Sequence, residues 1–364
     1  TRPLFLFSNS GHVQYMSVVD VDGEGRDEIV AVLINNPFGF QRVLVTMGTR
    51  SRLTGEACGA MKSPDIRAFL QARLTTPTGC VSFTPLGSDV LVVEEFCRRD
   101  SSIGSALMSC DFSSELVLRH GTEEQKTFYL PPIAYAESIF GGAFTEPDHG
   151  SDITRMATTA VRDGEEWVVN GVKTFITNGG IANHYVVLCQ TDDEAGYKGQ
   201  SMIMVPADAE GLEIADVGAK MGIRLNPTGE LSFKNVRVPA ANLLGKEGRG
   251  FYQVLEFFDE SRVEIAATAL GIAEGAFDRA IDYSLEREQF GRPLAKFQVT
   301  QHKLADMATA IEYARLLTYK AAWNFDKGRI DPKLTTMAKY VAARTAVQVA
   351  DEAIQILGGY GYMT

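Results

Sequence analysis

Phe144-Thr145-Glu146-Pro147-Asp148-His149-Gly150-Ser151-Asp152 is the stretch on which the reading of this chain turns. Proline, glycine, aspartate and serine together mark a loop, because each favours a turn for its own steric or hydrogen-bonding reason. His149 reads as a loop residue rather than a base. On both sides the chain has β character over 140–240. Trp167-Val168-Val169, Asn170-Gly171 and Val172–Ile176 form the pattern of a two-residue hairpin, since Asn-Gly supplies the positive φ of a type I′ turn. His184–Gln190, Ser201–Val205 and Glu230–Val238 follow as strands. Close spacing with Gly and Asp turns suggests a small barrel or sandwich.

Toward the N-terminus the pattern changes twice. Val93–Leu107 and Ser113–His120 carry apolar residues at helical spacing. Thr122 is placed to cap a helix that ends before Pro131-Pro132. Residues 1–90 instead hold β-branched stretches at Val13–Val21, Glu28–Leu33 and Arg42–Thr46. Within them, Asp20-Val21-Asp22-Gly23-Glu24-Gly25-Arg26-Asp27 resembles a calcium loop of FG-GAP propeller repeats. It occurs once, and Ala31 at position twelve defeats an EF-hand, so a polar β-turn is the simpler reading and no metal is expected. Toward the C-terminus, 250–358 reads as helices. Ile265, Ala269, Ile272, Ala276 and Ala280 repeat at three or four. So do Leu304, Met307, Ile311 and Ala314, then Ala346, Ala350, Ala353 and Leu357. Gly291-Arg292-Pro293 and Gly328–Pro332 punctuate them, as in an antiparallel bundle.

The 364 residues allow two or three domains. Mean hydropathy is near zero, and no apolar run approaches the roughly 20 residues of a membrane span. A formal charge of −11 argues against nucleic acid as the main partner. Five scattered cysteines and five scattered histidines show no zinc spacing. The cysteines read as reduced thiols in a reducing compartment. A cytoplasmic location, or the mitochondrial matrix in a eukaryote, follows as the expectation.

Three further segments accompany the opening one. They are Phe175-Ile176-Thr177-Asn178-Gly179-Gly180, then Glu286-Arg287-Glu288-Gln289-Phe290-Gly291 with Gln298, then Gln355-Ile356-Leu357-Gly358-Gly359-Tyr360-Gly361. In this order the four resemble the T-E-P-x-x-G-S-D, aromatic-I-T-N-G, R-x-x-F-G…Q and Q-x-x-G-G-x-G segments of acyl-CoA dehydrogenases. The resemblance runs from about residue 91 to 364. It implies an α+β fold with a helical N-terminal region (atypical here), a middle β-barrel and a C-terminal antiparallel four-helix bundle. The implied domains are 1–139 (1–90 atypical, 91–139 helical), 140–243 and 244–364, the last apparently truncated.

The resemblance implies FAD as cofactor. An isoalloxazine is flat and apolar with polar atoms along one edge, so it needs donors at that edge and an aromatic wall. Thr145 and Thr177 take the donor positions, with Phe144 and Gly150 beside them. Phe175 stands where most relatives have tryptophan. Arg287, Phe290 and Gln298 would meet the pyrophosphate and adenine end, where an arginine fork suits phosphate. Gln355, Gly358 and Gly359 would close on the FAD of a neighbouring subunit, in a homo-oligomer that is a tetramer in the family. Ser151 resembles the serine that meets pantetheine. Phe258, Asp259 and Arg262 resemble residues of the acyl and CoA channel.

The implied activity is α,β-desaturation of an acyl-CoA, with electrons passed to an electron-transfer flavoprotein. It needs a carboxylate to take the α-proton. One family position for that glutamate is Ser261 here. Glu260 is adjacent but about 100° around the helix. The other family position lies beyond Gly361, and the chain stops at Thr364, so a truncated sequence is the expectation. A catalytically silent FAD-binding homologue and an acyl-CoA oxidase are the alternative functions, and an acyl carrier protein thioester is an alternative substrate. Residues 1–90 lack the amphipathic helices that the resemblance implies. A diverged or replaced segment, a fusion or a shifted reading frame would each give this pattern.

Overall fold

The computed structural model describes residues 86–363 and, before them, strands at Pro3–Leu4 (β1), Gly11–Val19 (β2), Glu28–Asn35 (β3) and Phe40–Val45 (β4). These four make an antiparallel sheet in sequence order. That agrees with the β-branched stretches of the N-terminal region. The Asp20–Asp27 loop lies outside the described residues.

Helices follow at Leu86–Arg99 (α1), Ser101–Met108 (α2), Ser114–His120 (α3) and Glu123–Ala134 (α4). The pattern from Val93 to Leu107 is broken at Asp100, whose carboxylate accepts from the N–H groups of Ser102 and Ile103 at 2.9 Å each. A second helix can therefore start where the first ends. Thr122 and Gln125 form a reciprocal capping box at the start of α4. The helix does not stop before Pro131-Pro132 as expected, but runs through them to Ala134. Both prolines lie in its last turn. Their carbonyls still accept from Tyr135 and Glu137, and buried Tyr129, Leu130 and Ile133 hold the turn in place.

The middle of the chain is an eight-stranded sheet. Its strands are Phe140–Ala143 (β5), Thr159–Asp163 (β6), Glu166–Thr177 (β7), His184–Gln190 (β8), Gln200–Pro206 (β9), Leu212–Asp216 (β10), Thr228–Pro239 (β11) and Leu243–Leu244 (β12). The order is β10-β11-β7-β6-β8-β9-β12, with β5 beside β8. The two halves meet through one pair, Thr159 with Gln190. They wrap around buried Trp167, Tyr185, Ile203 and Leu231 like a barrel left open.

The expected Asn-Gly hairpin is absent. Residues 166–177 form one strand, and the reversal comes earlier, at Gly164-Glu165 between β6 and β7. Gly171 has φ +145°, and a Cβ there would lie 2.5 Å from the Thr158 hydroxyl. Asn170 accepts from the N–H of Asn235, where β11 bulges. Asn-Gly thus serves a close crossing and a bulge, two long-range demands that a local turn signal does not distinguish.

Three long helices follow: Gly250–Glu286 (α5), Gln298–Asp326 (α6) and Pro332–Leu357 (α7). A single turn, Gly359–Tyr362 (α8), ends the described chain. Chain direction alternates from α5 to α6 to α7, so α5 and α7 run the same way. Helix α1 joins them in one core, giving four packed helices. The seam is made of small residues, including Ala266, Ala273, Ala338, Ala342 and Val349. At Gly271 and Gly275 of α5 the α1 backbone approaches so closely that a Cβ would sit 2.2 Å from the carbonyls of Glu94 and Arg98.

Candidate active site

The loop after β5 and the end of β7 are tied together by a charge buried between them. The Lys173 side chain is wholly buried and that of Glu146 is 2% exposed. The ammonium donates to Glu146 Oε1 at 2.9 Å and to the Phe144 carbonyl at 3.1 Å. Glu146 also accepts from the N–H groups of Ala157 and Thr158. The N–H of Thr174 donates to the Thr145 carbonyl at 2.9 Å. Burial opposes ionisation of Glu146, but the Lys173 ammonium and the N–H donors hold its carboxyl below the ordinary value. Burial pushes Lys173 down, against the pull of Glu146. Removing one partner of such a pair costs roughly 3–5 kcal/mol, since the other charge is left alone.

Phe175 stands beyond this clamp with φ +57° and its ring 68% exposed. A bulky residue in left-handed backbone is strained, and such strain gathers at functional sites. Thr145 and Thr177 are half-buried near it, and Ser151 and Gly150 are exposed. Asn178, also at positive φ, donates to the carbonyls of Ser109 and Phe140 at 2.6 and 2.7 Å. It fastens the second segment to the N-terminal helices. The ring of Phe144 lies edge-on to Phe258 at 6.1 Å and to Phe257 at 5.7 Å. Three of the segments singled out in the sequence, 144–151, 175–180 and 258–262, therefore meet in one place.

On α5, Asp259 accepts from Arg262 at 2.7 Å. Burial lifts the Asp259 carboxyl above its ordinary value, against the opposing effects of Arg262 and Thr335. The Ser261 hydroxyl turns back to the Phe258 carbonyl. Glu260 faces elsewhere, as its rotation requires, and pairs with Arg119. It belongs to a row in which Glu256, Glu260 and Glu264 look toward His120, Arg119 and Glu115 of α3. The last pairing joins like charges. Glu115 Oε2 is buried without a hydrogen-bond partner. Burial first, then the charges of Glu264, Asp111 and Glu260, push the Glu115 carboxyl well above its ordinary value.

The folded protein therefore binds this proton more tightly than the unfolded chain does. The resulting stability is complete below the unfolded value and is lost as pH rises through the folded one. Glu115→Gln is expected to raise Tm by a few degrees at alkaline pH and to leave it unchanged in acid, in thermal melts across pH. A variant whose melts track the wild type at every pH would contradict this.

The other two motif segments lie elsewhere. Arg287, Gly358 and Gly359 line one cavity of about 530 Å³ with Tyr283, Tyr360 and Met363. Phe290 points outward, 94% exposed at φ +52°. Gln298 begins α6, and Gln355 is exposed on α7. Among the described residues, no hydrogen bond, ion pair or ring contact joins this group to the first.

Domain signatures described as acyl-CoA dehydrogenase N-terminal, middle and C-terminal domains match residues 69–137, 141–236 and 248–364 in that order. The chain belongs to the acyl-CoA dehydrogenase family. Membership thus reaches further back than the motifs, to residue 69. The cyclohexane-1-carbonyl-CoA dehydrogenase of Geobacter metallireducens is 44% identical over 271 residues, 74% of this chain and 71% of that protein. The short-chain specific acyl-CoA dehydrogenase of Clostridium acetobutylicum is 44% identical over 276 residues, 76% and 73% of the two chains. The butyryl-CoA dehydrogenase structure from Megasphaera elsdenii superposes with a TM-score of 0.73 at 40% identity, covering 75% of this chain and 72% of that one. The acyl-CoA dehydrogenase fold, helical at both ends with a middle sheet, is therefore common to this chain and its relatives. Members of the family are FAD-dependent.

Lys173, Asn178 and Arg119 were not foreseen as site residues. A lysine inside an apolar strand was the available signal for the first. Asn178 stood inside the aromatic-I-T-N-G segment without a role of its own, and nothing local marks Arg119. Among the described residues no helix is long and apolar enough to cross a membrane, and no group of three or more His, Cys, Asp or Glu is arranged to hold a metal ion.

Proposed function

We propose that this chain binds FAD and desaturates an acyl-CoA between its α and β carbons. The strained, exposed Phe175 beside the Thr145–Lys173 clamp carries the reading: an aromatic face is held out where a flat ring would lie. The fit is chemical as well. Among the described residues, neither the N–H nor the hydroxyl of Thr145 donates to an acceptor within the chain, which leaves donors for a polar ring edge. Thr177 and Gly150 complete that edge. When bound, FAD supplies the acceptor for the hydride that leaves the β carbon.

Ser151, Phe258, Asp259 and Arg262 are assigned to the thioester and its CoA arm, with Phe144 and Phe258 shared between ring and acyl group. Arg287, Phe290, Gln298, Gln355, Gly358 and Gly359 are assigned to the pyrophosphate and adenosine end. Their separation from the first group supports FAD shared between subunits of a homo-oligomer, taken to be a tetramer. Domain limits of 1–139, 140–243 and 244–364 are part of this reading. Electrons would pass to an electron-transfer flavoprotein, a partner suited to a structural relative studied with the Acidaminococcus fermentans flavoprotein, at 43% identity and a TM-score of 0.74. The buried thiols of Cys97 and Cys189 suit a reducing cytoplasm.

Ser261 cannot take the α-proton, and Glu260 is held by Arg119, so neither is assigned the base. That observation favours a second reading, a silent FAD-binding homologue. Anaerobic titration of the FAD-loaded protein with short, branched and cyclic acyl-CoAs separates the two. Bleaching of the visible flavin absorbance is expected with at least one of them. Bound FAD that bleaches with none would overturn the dehydrogenase reading in favour of the silent one.

A further inference from the structure

A fully buried ion pair is weak support for stability, because desolvating both charges offsets most of their attraction. Lys173 and Glu146 therefore call for another reason to be where they are, and the third contact of the ammonium supplies one. Lys173 Nζ reaches the carbonyl of Phe144 at 3.1 Å. In a trans peptide unit the C=O and N–H point opposite ways. Drawing the Phe144 carbonyl inward turns the N–H of Thr145 outward. The far side of the same residue is fixed as well, since the Thr145 carbonyl accepts from Thr174. Glu146 is anchored in turn by Ala157 and Thr158 at 2.7 and 2.9 Å, so the ammonium has a rigid seat. Met156 Sδ, 3.4 Å away, closes the apolar side.

We propose that Lys173 is a positioning residue for the flavin: it clamps the 144–145 peptide plane so that the Thr145 N–H stands as a fixed donor to the ring's polar edge. The assignment rests on the FAD reading above. The pair's net charge is zero, so the effect comes from direction rather than field. What matters at position 173 is a donor to the Phe144 carbonyl, not a positive charge.

Two neutral double variants test this. Lys173→Gln with Glu146→Gln keeps a donor at position 173, whereas Lys173→Met with Glu146→Gln removes it. Both avoid a lone buried charge. FAD affinity of each holoprotein is read by flavin fluorescence, and ring environment by visible circular dichroism. The glutamine pair is expected to keep wild-type affinity and spectrum. The methionine pair should bind FAD about tenfold more weakly, the worth of one directed hydrogen bond, with shifted flavin bands and an unchanged melting temperature of the FAD-free protein. If the methionine pair does not fold, the glutamine pair decides alone: wild-type binding and spectrum support the clamp, and a loss of about tenfold overturns it. Wild-type affinity and spectrum in the methionine pair would also overturn it, leaving the pair a structural one. Failure of the wild-type protein itself to hold FAD would overturn the flavin reading instead.

Discussion

Gly271→Val will melt several degrees below the wild type. A Cβ at this position of α5 would sit 2.2 Å from the Glu94 carbonyl, 2.8 Å from Cys97 Cβ and 3.0 Å from the Arg98 nitrogen. Two of those three atoms are backbone, so they cannot swing aside as a side chain could. Helix α1 must move away, and its buried Val90, Val93 and Cys97 lose contact with the shared core. Overpacking of this kind costs about 3 kcal/mol or more. For a protein of this size that is a fall in Tm of roughly 4 °C or more. Gly222→Val is the control, since nothing lies within 4 Å of its Cβ position. Thermal melts of both with FAD bound make the comparison. Equal melting temperatures would show that the approach of α1 to α5 is looser than described.

Arg287→Met is expected to release FAD without unfolding the protein. The residue follows the last turn of α5 and lines the same cavity as Gly358 and Gly359. Methionine keeps most of the apolar stem and removes the planar fork. A hydrogen bond from a charged donor is worth roughly 1.5–3 kcal/mol, or about 10- to 150-fold in affinity. Arg287→Lys should fall between the two, because a point charge cannot make the paired contact. Fluorescence on FAD release measures all three proteins. Wild-type retention by Arg287→Met would remove Arg287 from the cofactor site. Glu115→Gln and the paired variants at Lys173 address independent parts of the molecule, so the results can be read separately.

Much of this architecture was legible in the sequence. Apolar residues repeating at three or four in 250–358 located three helices, and Thr122 as a cap located a fourth. Strands at 184–190, 201–205 and 230–238 stood out through β-branched runs. The misreadings share a cause. Asn170-Gly171 and Pro131-Pro132 carry strong local signals, and contacts from distant residues overrode both. Asn235 and Thr158 recruit the first, while buried Tyr129 and Ile133 hold the second in a helix. At the site, motif order located Phe175 and Thr145 by resemblance. It did not show Lys173 reaching back across 29 residues of chain to the Phe144 carbonyl. Nor did it show α3 and α5 aligned so that Glu115 faces Glu264. Both depend on which faces of separate elements come together, and single-chain spacing does not encode that.

The distance between the Phe175 group and the Arg287 cavity bears on how the protein behaves on dilution. Under the proposed sharing, each FAD is gripped by residues of two chains. Occupancy then depends on protein concentration as well as on free FAD, since separating the chains removes half of the grip. Dialysis and dilution would strip the cofactor by different laws, one following free FAD and the other the association of the chains. Conversely, FAD would act as a tether that raises the effective affinity of one chain for the next.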